Sequence, residues 1–413
     1  MTPPQPSASG DSNTNTDEET SPWRSSTVQI VLAATLLAPL GVPLISPTLP
    51  VFRDAFGITD AQASLLISTY FLTGIVLSPF IGMLADRIGR RAVLIWGLIA
   101  FSISGGAIAV APSYEAILLL RTIGGTAAAG IFITTVTLIG DSFEGTQRNS
   151  VLGMNNAVLS AGAALFPIVG GALATVAWNV PYLAYLLGLP LALYAVRHLE
   201  EPAHERDSKG LAYLRRAASV LSGPDALVCY GAACMTELLL FGTVLTILPF
   251  LLAGDFGMSA LAIGLLLSVA ELSSVIVSAK NGWFARYTSN YGLIAAGFAC
   301  YSVGLFGAWL APSPVFIGVT MLVLGAGLGL SMPAVDAAIS DLVSAGLRGG
   351  ALSLRNSTTF LGRAAGPILF AGLAEITGYY PLFVGSAVVA LVIALSIASM
   401  SVYRTRRRPV AEA

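Results

Sequence analysis

Charge is what this sequence has least of. Only 10% of its 413 residues are Asp, Glu, Lys or Arg, while 55% are hydrophobic; a soluble domain carries roughly 25% charged residues. So few charges cannot cover several soluble cores, which excludes an ordinary water-soluble enzyme. Histidine is nearly absent, and both copies, His198 and His204, fall in one polar stretch. The three cysteines, Cys229, Cys234 and Cys300, lie inside apolar runs without metal-ligand or disulfide spacing. Lysine is confined to Lys209 and Lys280, against 19 arginines. A net charge of −1 gives no basic field for nucleic acid. No nucleophile with a base, phosphate loop or metal cluster is present, so neither catalysis nor a cofactor is expected.

What is present is apolar length. The mean hydropathy is +0.79, and a bilayer core about 30 Å thick takes about 20 apolar residues per helix. That measure gives twelve spans, at about 28–50, 62–84, 92–111, 116–140, 150–176, 178–197, 225–252, 260–280, 291–311, 315–340, 351–376 and 381–402. The chain is predicted to be an all-α membrane protein. Pro39, Pro43 and Pro47, four residues apart, should bend the first span. Residues 1–27, rich in Pro, Ser, Thr and acids, read as a disordered tail and not a signal peptide. Residues 198–224 read as a linker with an amphipathic piece, Leu211 to Leu221, lying along the membrane surface, and 403–413 as a basic tail. Of the 21 basic residues, 17 fall on the side of both termini, one (Arg53) on the other, and three (Arg121, Arg355, Arg363) within spans. The positive-inside rule then places both termini and the linker in the cytoplasm, with the protein in the cell membrane.

The sequence repeats at an offset of 200 residues. Asp141 matches Asp341, Arg148 matches Arg348 and Asn156 matches Asn356, with Gly82/Gly282, Gly162/Gly362, Pro167/Pro367 and Pro181/Pro381 in the same register. Two pseudo-symmetric six-helix halves follow, 28–197 and 225–402, and the interface between such halves holds a site near the midplane and works by alternating access.

The turn after span 2 reads Gly82-Met-Leu-Ala-Asp86-Arg87-Ile-Gly89-Arg90-Arg91. It resembles the loop signature of the major facilitator superfamily, and the resemblance covers about residues 28–402. In that family the loop latches one conformation, which implies a latch role for Gly82, Asp86, Arg87, Gly89, Arg90 and Arg91, with Asp141 and Arg148 beside them. The alternative is a turn whose arginines only fix topology. The second copy, Gly282-Trp-Phe-Ala-Arg286, has no acid, so the latch should belong mainly to the first half. Span 5 carries Gly153, Gly162, Pro167, Gly170 and Gly171, close to the family's antiporter signature but with Phe166 in place of a glycine. Either these residues serve exchange of substrate for protons, or they allow close helix packing.

Ionisable groups inside a bilayer are expensive and mark function by default. Glu237 and Glu271 lie near the middles of spans 7 and 8, and Asp336 nearer the terminal side of span 10. Glu237 ranks first as proton carrier because Met235-Thr-Glu237 resembles the acid-bearing span 7 of some drug:proton antiporters. Arg363 can neutralise either glutamate, leaving the other to titrate. Arg121, in an Arg-Thr-Ile-Gly-Gly element similar to one of the family, serves either structural pairing or proton coupling. Tyr70, Phe132, Tyr230, Phe241 and Met332 are candidate pocket residues for apolar or cationic guests, or plain packing. The expectation is a monomeric, proton-coupled exporter of small lipophilic or cationic compounds, similar to the drug:proton antiporter branch. The alternatives are a transporter of one sugar or amino acid, which would want more polar cavity residues, and a receptor that kept the fold.

Overall fold

The protein is described by a computed structural model over residues 25–202, 223–344 and 347–407. The tail over 1–24, the amphipathic piece at 211–221 and residues 408–413 lie outside the described residues. Among the described residues the chain is helical without strands, and twelve helical spans are long and apolar enough to cross a membrane. They are Ser26–Phe56, Asp60–Leu77 (within a helix Asp60–Ile88), Arg90–Val110, Tyr114–Ser142, Gly145–Ala174 and Val180–His198 in the first half. The second half contributes Pro224–Gly254, Ala260–Ala279, Asn290–Leu310, Pro314–Asp341, Gly350–Thr377 and Tyr380–Val402. They are numbered 1 to 12 in that order. We call the side holding Ser26, Ile88 and Pro224 the terminal side and the other the far side. Against the expected limits, span 1 runs on to Phe56 and span 5 starts earlier, at Gly145. In span 5 the helix simply continues through the polar, exposed residues 146–150.

The repeat read in the sequence is built into the bonding. Span 2 starts behind Thr59, whose hydroxyl accepts from the Gln62 amide, and span 8 behind Ser259, which accepts from Ala262. Spans 4 and 10 are capped alike by Ser113 and Ser313. Each cap satisfies one of the amides a helix start leaves open. Close approaches recur as well: a Cβ at Gly125 would overlap the Tyr70 carbonyl, and one at Gly325 the Ala270 carbonyl. Arg90 bonds Asp141 in one half, and Asn290 bonds Asp341 in the other. Every one of these pairs differs by 200 in number.

The two central spans are both irregular. Span 1 is α-helical over Ser26–Leu37, unwinds through short 3₁₀ turns at Ala38–Gly41 and Ser46–Thr48, and resumes as a helix at Leu49–Phe56. Pro39, Pro43 and Pro47 lack the backbone N–H that would donate the hydrogen bonds of a continuous helix there. Span 7 instead widens into a π-helix over Leu240–Ile247, where the Thr246 hydroxyl bonds the Phe241 carbonyl five residues back at 2.7 Å. Irregular backbone within a membrane is tolerated only where protein or a cavity lines it.

On the far side the halves meet tightly. The Ser46 hydroxyl donates to the Leu245 carbonyl at 2.6 Å, the Arg53 guanidinium lies 5.6 Å from the Phe250 ring centre, and Tyr379 bonds Asp60. Toward the terminal side, residues 144–150 of the first half are all exposed.

Candidate functional site

Spans 7, 8 and 11 bring three charges together at the seam between the halves. Arg363 donates from Nε and Nη2 to the two carboxylate oxygens of Glu237, at 3.0 and 2.9 Å. This two-pronged geometry is the strongest form of ion pair a side chain can make. The pair is unevenly sheltered: the Glu237 side chain is 3% exposed and that of Arg363 is 30% exposed. The guanidinium is ringed by Phe71 of span 2, Phe241 of the π-helical stretch and Phe360 of span 11, with centroids 5.6, 5.4 and 5.7 Å from its carbon. Phe71 packs edge-on against Phe241 and face-on against Phe360, so the box closes across the seam. Small residues make room for it. A Cβ at Gly362 would overlap the Cys234 carbonyl, one at Gly242 the Phe370 ring, and Gly74 lies against Phe360.

Glu271, on span 8, is half-buried, and the charges it faces are those of Glu237 and Arg363. Among the described residues it has no hydrogen bond or ion pair of its own. Tyr301 of span 9 is fully buried, its hydroxyl unbonded, and faces both glutamates. Of the expected coupling residues the structure therefore assembles Glu237, Glu271 and Arg363, and answers which glutamate the arginine takes.

Arg121 and Asp336 fall outside this cluster. Arg121 is buried in the first half and bonds the Leu66 carbonyl at 2.7 Å, the Gly41 carbonyl at 2.6 Å and the Tyr185 hydroxyl at 2.9 Å. Tyr185 in turn donates to the Leu40 carbonyl. Arg121 and Tyr185 thus satisfy carbonyls in the unwound stretch of span 1, and Arg121 stacks over Tyr70 at 4.4 Å. Asp336 is held by Arg355 through both carboxylate oxygens.

The turn after span 2 is a compact charge cluster. Gly89 sits at φ +96°, a conformation that L side chains rarely adopt. Arg90 reaches Asp86 at 3.3 Å and also bonds Asp141. Glu201, from just beyond span 6, accepts from the Arg90 and Arg91 amides at 2.6 and 2.9 Å, and Arg91 donates to the Val196 carbonyl. A carboxylate on the first amides of span 3 is well placed against the helix dipole. Glu201 was not among the expected residues, because it lies in the linker 113 or so residues from Ile88 with no spacing to connect them. Arg87 and Arg148 are exposed, and a Cβ at Gly82 would meet nothing within 4 Å.

In span 5 the glycines divide by role. A Cβ at Gly162 would come 3.0 Å from Pro39, one at Gly170 would overlap the Leu44 carbonyl, and one at Gly171 the Ala260 carbonyl of the other half. The Pro167 carbonyl lies against Gly264 of span 8. A Cβ at Gly153, near the terminal side, would meet nothing within 4 Å. Of the candidate pocket residues, Phe241 alone belongs to the box around Arg363. Tyr70 serves Arg121, Tyr230 donates to the Ala351 carbonyl at 3.0 Å, and Phe132 and Met332 are half-buried. Phe71 and Phe360 were missed, since nothing in their own spans marks them.

A duplicated bundle of six and six helices, with three charges brought together at the seam, defines a membrane transport protein. The sequence profile of the Major Facilitator Superfamily matches residues 31–319 and 230–413, and the chain belongs to that family. It is 28% identical to the bacillibactin exporter of Bacillus subtilis (strain 168), over 86% of this chain and 92% of that one. It is 25% identical to multidrug resistance protein 1 of the same organism, over 90% and 96%. It is 26% identical to the quinolone resistance protein NorA of Staphylococcus aureus, over 86% and 92%. Among solved structures, a bacterial homologue of the human lysosomal transporter Spinster, inward-facing and occupied, superposes with a TM-score of 0.77 at 17% identity, covering 93% of this chain and 97% of that one. The nucleoside transporter NupG gives 0.77 at 14% identity, covering 91% and 100%.

Proposed function

We propose that the protein exports small lipophilic cations in exchange for protons, by alternating access across the cell membrane, as a monomer with both termini in the cytoplasm. The orientation rests on the 17 basic residues of the terminal side. The far-side seal then corresponds to a state open toward the cytoplasm. Relatives named for multidrug resistance, quinolone resistance and bacillibactin export support an outward direction for a small molecule.

One observation carries the coupling: Glu237 is neutralised by Arg363, whereas Glu271 beside it has no ion pair among the described residues. A half-buried carboxyl without a partner is the group that must gain and lose a proton to change its charge state. Protonation of Glu271 and binding of a cation are then mutually exclusive, which is the requirement for exchange.

The test is efflux from proteoliposomes with and without an imposed pH gradient, across a panel of lipophilic cations and polar metabolites. Glu271→Gln is expected to abolish gradient-driven efflux while leaving downhill movement intact. Unchanged gradient dependence in that variant would overturn the coupling scheme, and transport of one polar metabolite alone would overturn the substrate class.

A further inference from the structure

The box around Arg363 is more than an ion pair needs. A structural salt bridge is complete with its two hydrogen bonds, yet here three aromatic rings from both halves also converge on the cation, with centroids 5.4 to 5.7 Å away. A buried carboxylate whose bound cation is surrounded by aromatic rings is the chemistry that recognises an organic cation. The guanidinium is also the more exposed member of the pair, 30% against 3% for Glu237, so the arginine shields the carboxylate on its open side.

We infer that the Glu237 carboxylate and the Phe71, Phe241 and Phe360 rings form the seat for the substrate's cationic group, which Arg363 occupies as a tethered surrogate until substrate displaces it onto Glu271. The inference rests on the reading above that Glu271 is the coupling acid. Glu271 is the destination because it is the other carboxylate whose charge acts on Arg363. The remaining groups around it do not compete: Tyr301 is a neutral phenol facing both acids, and Asp336 on span 10 is held by Arg355. The exchange balances. An incoming cation pairs with Glu237, the freed guanidinium pairs with Glu271, and the proton that Glu271 carried leaves to water. One cation enters the site for one proton released, so the net charge of the cluster is unchanged.

The surrogate also specifies the ligand. A guanidinium is planar and delocalised, so the seat fits amidinium, guanidinium and aromatic iminium groups with an apolar body better than compact tetrahedral ammonium ions.

The experiment uses the full chain in nanodiscs, with benzamidinium as probe and tetramethylammonium as comparison. Calorimetry reads affinity, and a pH dye in weak buffer reads protons released. The wild-type protein is expected to release about one proton per benzamidinium bound. Arg363→Ala is expected to bind it at least tenfold more tightly, because no guanidinium has to move. Phe360→Leu, which keeps the ion pair, is expected to weaken benzamidinium binding about tenfold and to leave tetramethylammonium unaffected; it serves also if Arg363→Ala fails to fold. Unchanged affinity for benzamidinium in Arg363→Ala or in Phe360→Leu would overturn the seat. Tighter binding in Arg363→Ala together with continued proton release from Glu271→Gln would keep the seat and overturn Glu271 as the coupling acid.

Discussion

The Tyr379 hydroxyl, from the short link between spans 11 and 12, donates to the Asp60 carboxylate at the start of span 2, joining the halves on the far side. Asp60 also receives Nη1 of Arg53 at 2.9 Å. The single basic residue assigned to the far side is therefore spent on its closure. A hydrogen bond to a charged acceptor contributes about 1.5–3 kcal/mol, and the low end of that range is about a tenfold shift in a two-state population. Tyr379→Phe is expected to raise by about that factor the labelling rate of Leu245→Cys, measured from the far side with an impermeant maleimide after Cys229, Cys234 and Cys300 are replaced. An unchanged rate would show that the bond does not hold the seal.

The span 5 glycines should respond to substitution by position. At Gly171 a Cβ overlaps the backbone carbonyl of Ala260, which cannot swing aside, so Gly171→Ala is expected to hold the far side open and abolish efflux. At Gly153 a Cβ meets open space, and Gly153→Ala should leave efflux intact and add up to about 1 kcal/mol of stability from helix propensity alone. Equal loss from both variants would mean that the motif acts through something other than contact across the seam.

The bilayer explains why the fold was so legible. A fixed thickness imposes a fixed apolar length, so twelve spans can be counted directly, and the 200-residue repeat reappears as matched caps and matched glycine contacts. The charged cluster was legible only as separate residues. Glu237 and Arg363 lie 126 positions apart on different helices, and no spacing rule says that spans 7 and 11 touch. The repeat held a sharper signal than was drawn from it: where the second half has Glu237, Glu271 and Arg363, the first has Leu37, Phe71 and Ala163. The scaffold is duplicated and the chemistry is not. Glu201 and Tyr379 escaped notice because both act from connecting segments, where no periodicity marks a residue.

Arg121 should prove structural. Its three donors are used on two carbonyls and the Tyr185 hydroxyl around the unwound part of span 1, and losing them strands buried carbonyls at about 1–3 kcal/mol each. Lysine carries the charge but lacks the planar fork. Arg121→Lys is expected to lower the melting temperature in detergent by several degrees, while the protein that remains folded keeps the wild-type pH dependence of efflux. A shifted pH profile with unchanged melting would instead place Arg121 in the coupling.

Asp336 and Arg355 should behave as a mutually cancelling pair. Asp336 is 38% exposed and Arg355 15%, so breaking the pair strands a partly buried charge at a cost below the roughly 3–5 kcal/mol of a fully buried one. Asp336→Asn alone is expected to reduce both the melting temperature and the transport rate, because Arg355 is left facing the bundle unpaired. Adding Arg355→Gln removes the stranded charge, so the double variant should recover most of both losses; the difference from the sum of the single effects measures the pairing. A proton carrier would give the opposite pattern. If Asp336 carried the coupling proton, the double variant would regain stability but not gradient-driven efflux, and the assignment of that role to Glu271 would fall with it.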